Sequence, residues 1–268
     1  MIRFDRFFEG KTHAVIFSFD DARTEDRRLV EILNRYGLKA TFHINSGKLD
    51  SKRNITTNEL MHLYKNHEIA LHGQSHARLS TCHPIAIIKE LLDDRVALEK
   101  ITENIITGFA YPYGDVNDVA YNSIKSCGIE YARTTNNTLG CKFPQDFLLW
   151  NPSCHMYNAD SSIEHFFNKM QYPGDSPLLL IWGHSFELER DNKWDNFESL
   201  CKKVSNISEV WYTTCADFLS YNNAVKSLRV SADETKVENP SGIPVWISVN
   251  NSPLKIGEAK QIKLEARG

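Results

Sequence analysis

The sequence predicts an α/β fold built on parallel strands, and three observations lead to this prediction. Short apolar runs alternate with amphipathic helical segments between residue 14 and about residue 225. Strands that alternate with helices in this way form right-handed βαβ units, whose strands pair in parallel. Eight candidate strands occur, which allows the sheet to close into a barrel. Polar residues follow several of these strands directly, at the end where the active sites of such barrels lie.

The candidate strands are short and rich in β-branched or aromatic residues, which favours strands over helices. They cover residues 14–17, 40–44, 68–71, 105–109, 129–132, 147–150, 178–182 and 210–212. The segments between them are predicted as helices because their apolar residues recur at a helical spacing. These helices cover about 24–36, 57–64, 84–98, 116–127, 163–170, 197–204 and 217–225. Thr24 and Pro84 suit the first turn of a helix, and Gly37 suits a helix end.

The pattern changes at about residue 226, where short apolar stretches alternate with a period of two between Asn, Pro, Ser and Gly turns. Some forty residues of hairpins bury little core alone. We therefore predict two parts: a (β/α) barrel over residues 1–225 and a small β appendage over 226–268 that packs on the barrel.

The composition is that of a globular protein with one large domain, or one domain and a small appendage. The chain has 268 residues, of which 41% are hydrophobic and 24% charged. A net charge of −3 without a dense basic run argues against nucleic acid or an anionic membrane as the main partner. The six cysteines form no Cys-x-x-Cys pair and are expected to be buried free thiols. No apolar signal core follows Met1, so a cytoplasmic location is expected if Met1 is the natural start.

Two neighbouring carboxylates, Asp20 and Asp21, follow the first strand directly. Neighbours along an extended strand point to opposite faces, so both can serve one site only at a turn or a strand end. For a lone Asp-Asp pair, a solvated turn before an acidic helix start is the ordinary interpretation. A second group of residues downstream favours a functional site instead.

Two histidines, His72 and His76, follow the third candidate strand. On one helical turn, residues four apart face the same way, so both imidazoles can reach one cation. Two imidazoles and one carboxylate form a usual catalytic zinc set, with a position left open for water or substrate. Such pairs arise by chance among ten histidines, but the pair combined with Asp-Asp after an earlier strand predicts a metal site.

Four segments, in order along the chain, resemble motifs of the polysaccharide deacetylase family, the NodB-homology domain of carbohydrate esterases. They are Ser18-Phe19-Asp20-Asp21, His72-Gly73-Gln74-Ser75-His76, Ala110-Tyr111-Pro112-Tyr113-Gly114, and residues 178–184, an apolar strand followed by His184. The resemblance covers about residues 12–220 and implies a distorted (β/α) barrel with about seven strands.

The resemblance also implies a function, that of a metal-dependent N-deacetylase acting on the amide bond of N-acetylated carbohydrate. Asp21, His72 and His76 would hold a divalent metal ion, with Zn²⁺ expected, which would polarise the acetyl carbonyl and activate a water. Asp20 would be the general base. His184 would be the general acid that protonates the leaving amine.

The third motif implies a role for Tyr113 and also departs from the family pattern. The backbone N–H of Tyr113 would help to hold the oxyanion beside the metal. The family's arginine, which orients the base, is replaced here by Ala110. We hypothesise that Arg133, just past the fifth candidate strand, substitutes by pairing with Asp20; a structural or surface arginine is the alternative.

The fourth motif, in which an aspartate usually tunes the acid histidine, has only a weak counterpart. Asp146-x-x-x-Trp150 has the right letters, but Asp146 precedes the sixth candidate strand. Asn151 or the segment 152–155 is the alternative wall of the site.

An N-acetylglucosamine-type glycan is the expected substrate. Aromatic faces suit sugar rings, and aromatic residues near strand ends are Tyr111, Tyr113, Trp150 and Trp182. A place in the barrel core is the alternative for each of them. Two other functions stay open: an amidase for a small non-sugar amide, and a metal-binding or regulatory homologue without turnover.

Overall fold

A parallel sheet with eight strands lies at the centre of the computed structural model, which describes residues 1–170, 174 and 176–264. The described strands are β1 (Ile2–Arg3), β2 (His13–Asp20), β3 (Ala40–Ile44), β4 (Glu68–Leu71), β5 (Gly108–Ala110), β6 (Tyr131–Arg133), β7 (Cys154–His155), β8 (Leu178–Gly183), β9 (Val210–Thr213), β10 (Arg229–Val230), β11 (Lys236–Asn239), β12 (Val245–Val249), β13 (Ser252–Ile256) and β14 (Lys260–Lys263). The helices are α1 (Asp26–Arg35), α2 (Thr57–Leu63), α3 (Pro84–Thr102), α4 (Asp118–Ser126), α5 (Asp160–Lys169), α6 (Ser185–Arg190), α7 (Trp194–Val204) and α8 (Cys215–Ser227).

The central sheet curls into a distorted barrel, as the sequence predicts. Its strands follow the order β6-β5-β4-β3-β2-β8-β7, and β9 pairs with β2. The first half of β2 pairs with β9 and the second half with β3, so the sheet splits along this strand. The chain around Trp150 closes the ring, because Trp150 N–H donates to Ala132 O (2.9 Å) and Ser153 N–H donates to Leu180 O (2.8 Å).

Both faces of β2 are buried, and its alternating side chains serve two different cores. Val15, Phe17 and Phe19 belong to the core between the sheet and helices α1–α7. Ala14 and Ile16 face the opposite side, where the second core contains Trp150 and residues of α8. The same alternation continues to Ser18 and Asp20, so this face of β2 becomes polar at its carboxyl end.

The sixth predicted strand is wrong. Residues Phe147–Leu149 form one turn of 3-10 helix, and the strand at this position is the short β7 further on. The cause is Asp146, whose side chain accepts the Leu148 N–H at 2.8 Å and so favours a turn over a sheet ladder. The predicted strands at 105–109 and 129–132 also begin too early, since their places are taken by β5 and β6.

Beyond α8 the chain forms antiparallel sheets, as the period-two pattern predicts. Strands β10, β11 and β14 form one sheet of three, and β12 and β13 form another with β1 from the chain start. Val237, Ile247 and Ile256 are fully buried between them. The division of the chain at residue 226 stays a prediction, and residues 265–268 of the predicted appendage lie outside the described residues.

The six cysteines are free thiols, as predicted, but only four of them are buried, and Cys82 and Cys127 are half-buried. In the part of the chain that the structure describes, no helix combines the length and apolarity that a membrane span requires.

Candidate active site and metal centre

The predicted site residues meet at the carboxyl ends of the central strands. Asp20 is the last residue of β2 and Arg133 the last of β6, while His72 and His184 directly follow β4 and β8. In parallel strands these ends lie on one edge of the barrel. Residues far apart in sequence are thereby brought within a few ångströms of one another.

A turn with left-handed backbone brings both neighbouring carboxylates into the site. Asp21 has φ +79° and Ala22 has φ +47°, which reverses the chain immediately after β2. Three hydrogen bonds hold the turn: Asp21 N–H donates to His43 O (3.0 Å), Asn54 Nδ2 donates to Asp21 O (2.6 Å) and Ile55 N–H donates to Ala22 O (2.9 Å). The side chain of Asp21 therefore reaches the same edge as that of Asp20.

The predicted helical turn at His72–His76 is wrong, because this segment is a loop. Gly73 has φ +75° and His76 has φ +66°, both incompatible with a right-handed helix. The side-chain amide of Asn45 ties the loop to the barrel by donating to the carbonyls of His72 and Gly73, each at 2.7 Å. The two imidazoles still converge, with ring centroids 4.8 Å apart.

Asp21, His72 and His76 form a donor group that fits a divalent metal ion. Asp21 Oδ1 lies 3.6 Å from His76 Nε2 and 3.8 Å from His72 Nε2, and the three donor atoms all lie within 4.8 Å of one another. Asp21 Oδ1 is buried and has no hydrogen bond to any described residue. An ion at this point would supply the missing partner, and the donor set is the one that zinc favours.

The protonation of the two histidines also suits a metal site. His72 Nδ1 lies 2.8 Å from Ala110 O, and because a carbonyl oxygen only accepts, this nitrogen carries the proton and leaves Nε2 free. Burial lowers the pKa of His72 to about 4 and also lowers the pKa of His76. Both imidazoles are therefore neutral at neutral pH, as metal ligands must be.

Asp20 is paired with Arg133, as the sequence hypothesis requires. Arg133 Nη2 donates to Asp20 Oδ1, and both side chains are buried. Arg133 also donates from Nε to Ser18 Oγ (2.8 Å) and packs 5.0 Å from the Trp182 ring. Burial alone would raise the pKa of Asp20, but the cation of Arg133, assisted by His72 and His43, holds it well below its ordinary value.

His43 is a neighbour of Asp20 for which sequence reasoning assigned no role. Its Nδ1 lies 3.4 Å from Asp20 Oδ1 and 3.3 Å from Ser18 Oγ, and its side chain is fully buried. The signal that could have found it is strand register, since Asp20 pairs directly with His43 across β2 and β3.

His184 faces Asp20 on one side and Glu187 on the other. Its Nε2 lies 3.8 Å from Asp20 Oδ2, and its Nδ1 lies 3.5 Å from Glu187 Oε2. Burial alone would lower the pKa of His184, but Glu187 and Asp20 raise it above the ordinary value. Sequence reasoning missed Glu187; its signal is a capping box, in which a residue three positions after the helix cap bonds back to the cap.

The candidate fourth-motif aspartate, Asp146, lies elsewhere. It accepts hydrogen bonds from Tyr121 Oη (2.7 Å) and from the Leu148 N–H, at the start of the 3-10 turn. The carboxylate that contacts the acid histidine candidate therefore comes from α6, after the histidine in sequence rather than before it.

The four aromatic residues divide into two groups. Tyr111 and Trp150 are each 1% exposed and belong to the core, so the prediction that they contact a sugar ring is wrong. Tyr113 is 56% exposed, has φ +61°, and lies with its ring 4.5 Å from that of His76. Trp182 is half-buried, and its Nε1 donates to Asn137 Oδ1 at 2.9 Å.

The fold and this group of side chains define a class: distorted (β/α) barrels with a candidate Asp–His–His metal centre at the strand ends. Residues 9–132 match the family model of polysaccharide deacetylases. This match agrees with the resemblance to polysaccharide deacetylases that the sequence motifs indicate.

Comparisons with individual proteins agree with this family. A chitin deacetylase of Pestalotiopsis is 27% identical over 132 residues, which cover 48% of this chain and 44% of the relative. The match thus spans less than half the length of that relative. A putative polysaccharide deacetylase from Mycobacterium smegmatis has a similar fold, with 18% identity, 84% of this chain and 94% of that chain covered, and a TM-score of 0.61. A family 4 acetyl xylan esterase from Clostridium thermocellum, solved with a cobalt ion, has 16% identity, coverage of 78% and 92%, and a TM-score of 0.51.

Proposed function

We propose that this chain is a metal-dependent hydrolase that removes acetyl groups from N-acetylated carbohydrate. The observation that carries the proposal is the meeting of two different groups at one barrel edge. Asp21, His72 and His76 offer neutral or anionic donors to an ion, while Asp20 and His184 stand beside them as a carboxylate and an imidazole. A module that only bound metal would not need the second pair.

The divalent ion, with zinc expected, would be held by Asp21, His72 and His76. When bound, it supplies a Lewis acid for the acetyl carbonyl and lowers the pKa of water. The cobalt ion in the related acetyl xylan esterase supports a divalent ion in this family.

Asp20 is the proposed general base. Arg133 occupies its Oδ1, which leaves Oδ2 directed toward the site, 3.9 Å from His72 Nε2. The ion pair keeps the carboxylate charged and fixes its orientation, so the base is ionised and positioned before substrate arrives.

His184 is the proposed general acid, which donates a proton to the leaving amine. Its Nδ1 faces Glu187 and its Nε2 faces Asp20 Oδ2, so both ring nitrogens lie beside carboxylates that stabilise the charged imidazole. The backbone N–H of Tyr113 is proposed to stabilise the oxyanion, a role carried over from the family pattern.

The proposed substrate is a glycan that contains N-acetylglucosamine-type units. The site opens to the surface, since the side chains of Asp21, His76 and His184 are 16%, 13% and 20% exposed. Tyr113 and Trp182 are accessible aromatic residues whose rings lie beside His76 and His184. The name of the chitin deacetylase relative supports an N-acetylated sugar.

The proposal is tested by measuring acetate and free amine together. The panel contains N-acetylglucosamine oligomers, acetylated xylan and a small N-acetylated amine, each with and without a chelator. We expect equal amounts of acetate and amine from the oligomers, with loss of both in chelator. Acetate from xylan alone would contradict N-deacetylation, and turnover of the small amine alone would favour the amidase alternative.

A further inference from the structure

A second group of side chains meets on the side of His184 that faces away from Asp20. Glu187 Oε2 accepts a hydrogen bond from His155 Nε2 at 3.0 Å and from the His184 backbone N–H at 3.3 Å. His184 Nδ1 lies 3.5 Å from the same oxygen. One carboxylate oxygen thus faces three donors, two of which are imidazoles from different segments of the barrel.

The tautomer of His155 follows from its other ring nitrogen. His155 Nδ1 accepts the backbone N–H of Tyr157 at 3.3 Å, so in the neutral ring the proton is on Nε2. That proton is directed to Glu187. His155 is therefore a donor to the carboxylate and not a competitor for a proton.

His155 restrains the carboxylate of Glu187, and that carboxylate in turn faces His184. Glu187 lies in the first turn of the short helix α6 and is 17% exposed, so its side chain has solvent on one side. Trp182 packs against both histidines, with ring centroids 4.9 Å from His155 and 5.7 Å from His184. Without His155, the carboxylate would be held by His184 alone.

We propose that His155 is a positioning residue that acts on the acid histidine through Glu187. This inference rests on the proposed function, in which His184 donates a proton to the leaving amine. The hydrogen bond from His155 keeps Glu187 turned toward His184 Nδ1, and Glu187 in turn fixes the ring so that Nε2 faces the site. The titratable groups around His184 are Asp20, Asp21 and His76 on the site side and Glu187 on the other. Besides His184, the titratable groups that face Glu187 are His155, Tyr157, Arg190 and Asp191.

A metal ion held by His155, Glu187 and His184 is the alternative use of these atoms, which also lie within 4.8 Å of one another. Such an ion needs a lone pair on His155 Nε2, where the hydrogen bond to Nδ1 places a proton. His72 shows the opposite arrangement, with a proton on Nδ1 and a free Nε2. The hydrogen bonds thus favour a metal ion at Asp21, His72 and His76. At the second group they favour Glu187 as a carboxylate that accepts hydrogen bonds from the histidines.

The test compares His155→Leu, His155→Gln, Glu187→Gln and the double variant His155→Leu/Glu187→Gln. Leu keeps the bulk against Trp182 but donates nothing, whereas the amide of Gln can restore a donor near Nε2. We expect His155→Leu to lower kcat about tenfold with KM unchanged, as for loss of one hydrogen bond to a charged group. The alkaline limb of the pH–rate profile should move to lower pH, and His155→Gln should recover most of the rate.

The double variant decides whether His155 acts through Glu187. If it does, Glu187→Gln and the double variant should have the same kcat within about twofold, because the path from His155 to His184 is already broken. If the loss of kcat in the double variant equals the product of the losses in the two single variants, the proposal is overturned. His62→Leu, on the exposed face of α2, is the matched control and should leave the rate unchanged.

A spectroscopic readout separates this inference from the proposed function. In the zinc-loaded protein, the ¹⁵N shifts of the His184 ring should change in His155→Leu and return in His155→Gln. A wild-type protein without deacetylase activity would defeat the proposed function, whereas unchanged His184 shifts would defeat the inference. A second equivalent of bound zinc that His155→Leu removes would also overturn it, because His155 would then be a ligand.

Discussion

Arg133, the last residue of β6, donates a charge-assisted hydrogen bond to Asp20, the last residue of β2, and the two side chains are 0% and 3% exposed. The pair joins residues that are 113 positions apart in sequence. It gives the carboxylate the cation that the third motif, with Ala110, does not provide. The cation beside Asp20 thus comes from β6 and not from the segment around Ala110.

Replacement of Arg133 by Met should move the acid limb of the pH–rate profile to higher pH. The cation lowers the pKa of Asp20, so its removal lets that pKa rise. Asp20 must be ionised to act as a base, and protonation at a higher pH would therefore remove activity at a higher pH. The measurement is kcat/KM between pH 4 and 9; an acid limb that stays in place would show that Arg133 does not control the base.

The same variant should also be less stable, by about 3–5 kcal/mol at neutral pH, because it leaves a buried carboxylate without its partner. Urea unfolding measures this loss. Arg35→Met is the control: Arg35 is 50% exposed and pairs with Glu31 and Glu198 at the surface, so a much smaller loss is expected. Equal losses in the two variants would contradict the buried pair as a source of stability.

Asp20→Asn should retain the metal and lose most of the turnover, by about 10²–10⁴-fold, since general base catalysis contributes that much. Asp20 is not among the three proposed ligands, and Asn keeps its shape. Metal content by mass spectrometry and kcat on an N-acetylated oligomer are measured on the same sample. A variant that loses its metal together with its activity would show that the roles of Asp20 and Asp21 are exchanged.

Asp26 should make stability fall as pH rises. Burial raises its pKa to about 7, although Ser185 and Tyr64 donate hydrogen bonds to it. Between pH 4 and 7 the folded state therefore binds more protons than the unfolded state. As the pH rises through this range, the free energy of unfolding decreases by up to about 1.4 kcal/mol per pH unit.

The comparison of wild type with Asp26→Asn isolates this contribution. The free energy of unfolding of Asp26→Asn should rise relative to that of the wild type from pH 5 to pH 7, and the difference should then level off. Asp160→Asn is the control because the Asp160 side chain is 98% exposed, and its difference should stay constant. A constant difference for Asp26→Asn would show that Asp26 is ionised throughout.

Much of the fold was predictable because hydrophobic periodicity is a local property of the chain. The runs around Val15, Phe42 and Leu180 have the length and composition of buried parallel strands, and all three lie in the central sheet. The prediction of a strand at residues 147–150 was wrong because a single side chain, Asp146, favours a turn through a local hydrogen bond. Period and composition do not register such a bond.

The candidate site was predictable to a different degree. Strand-end position brought Asp20, Asp21 and His184 together, and the motif order identified their partners. The conformation of the loop from His72 to His76 was not predictable, because positive φ at a histidine is rare and because the loop is held by tertiary hydrogen bonds such as that from Asn45 to His72 O. Glu187 was missed because, in the sequence, it has the position of an ordinary helix-capping residue, although the same carboxylate also lies beside His184.

The central claim is that one metal ion at Asp21, His72 and His76 is required for deacetylation, and a metal titration tests it most directly. Metal-free protein receives zinc in steps, and the bound zinc and the rate of acetate release from N-acetylglucosamine oligomers are measured at each step. The account predicts that the rate rises from the background to a plateau at one bound equivalent per chain, and that His76→Ala reaches neither the plateau nor the bound equivalent. A metal-free protein with the full rate, or a rate that rises in His76→Ala as in the wild type, would contradict it.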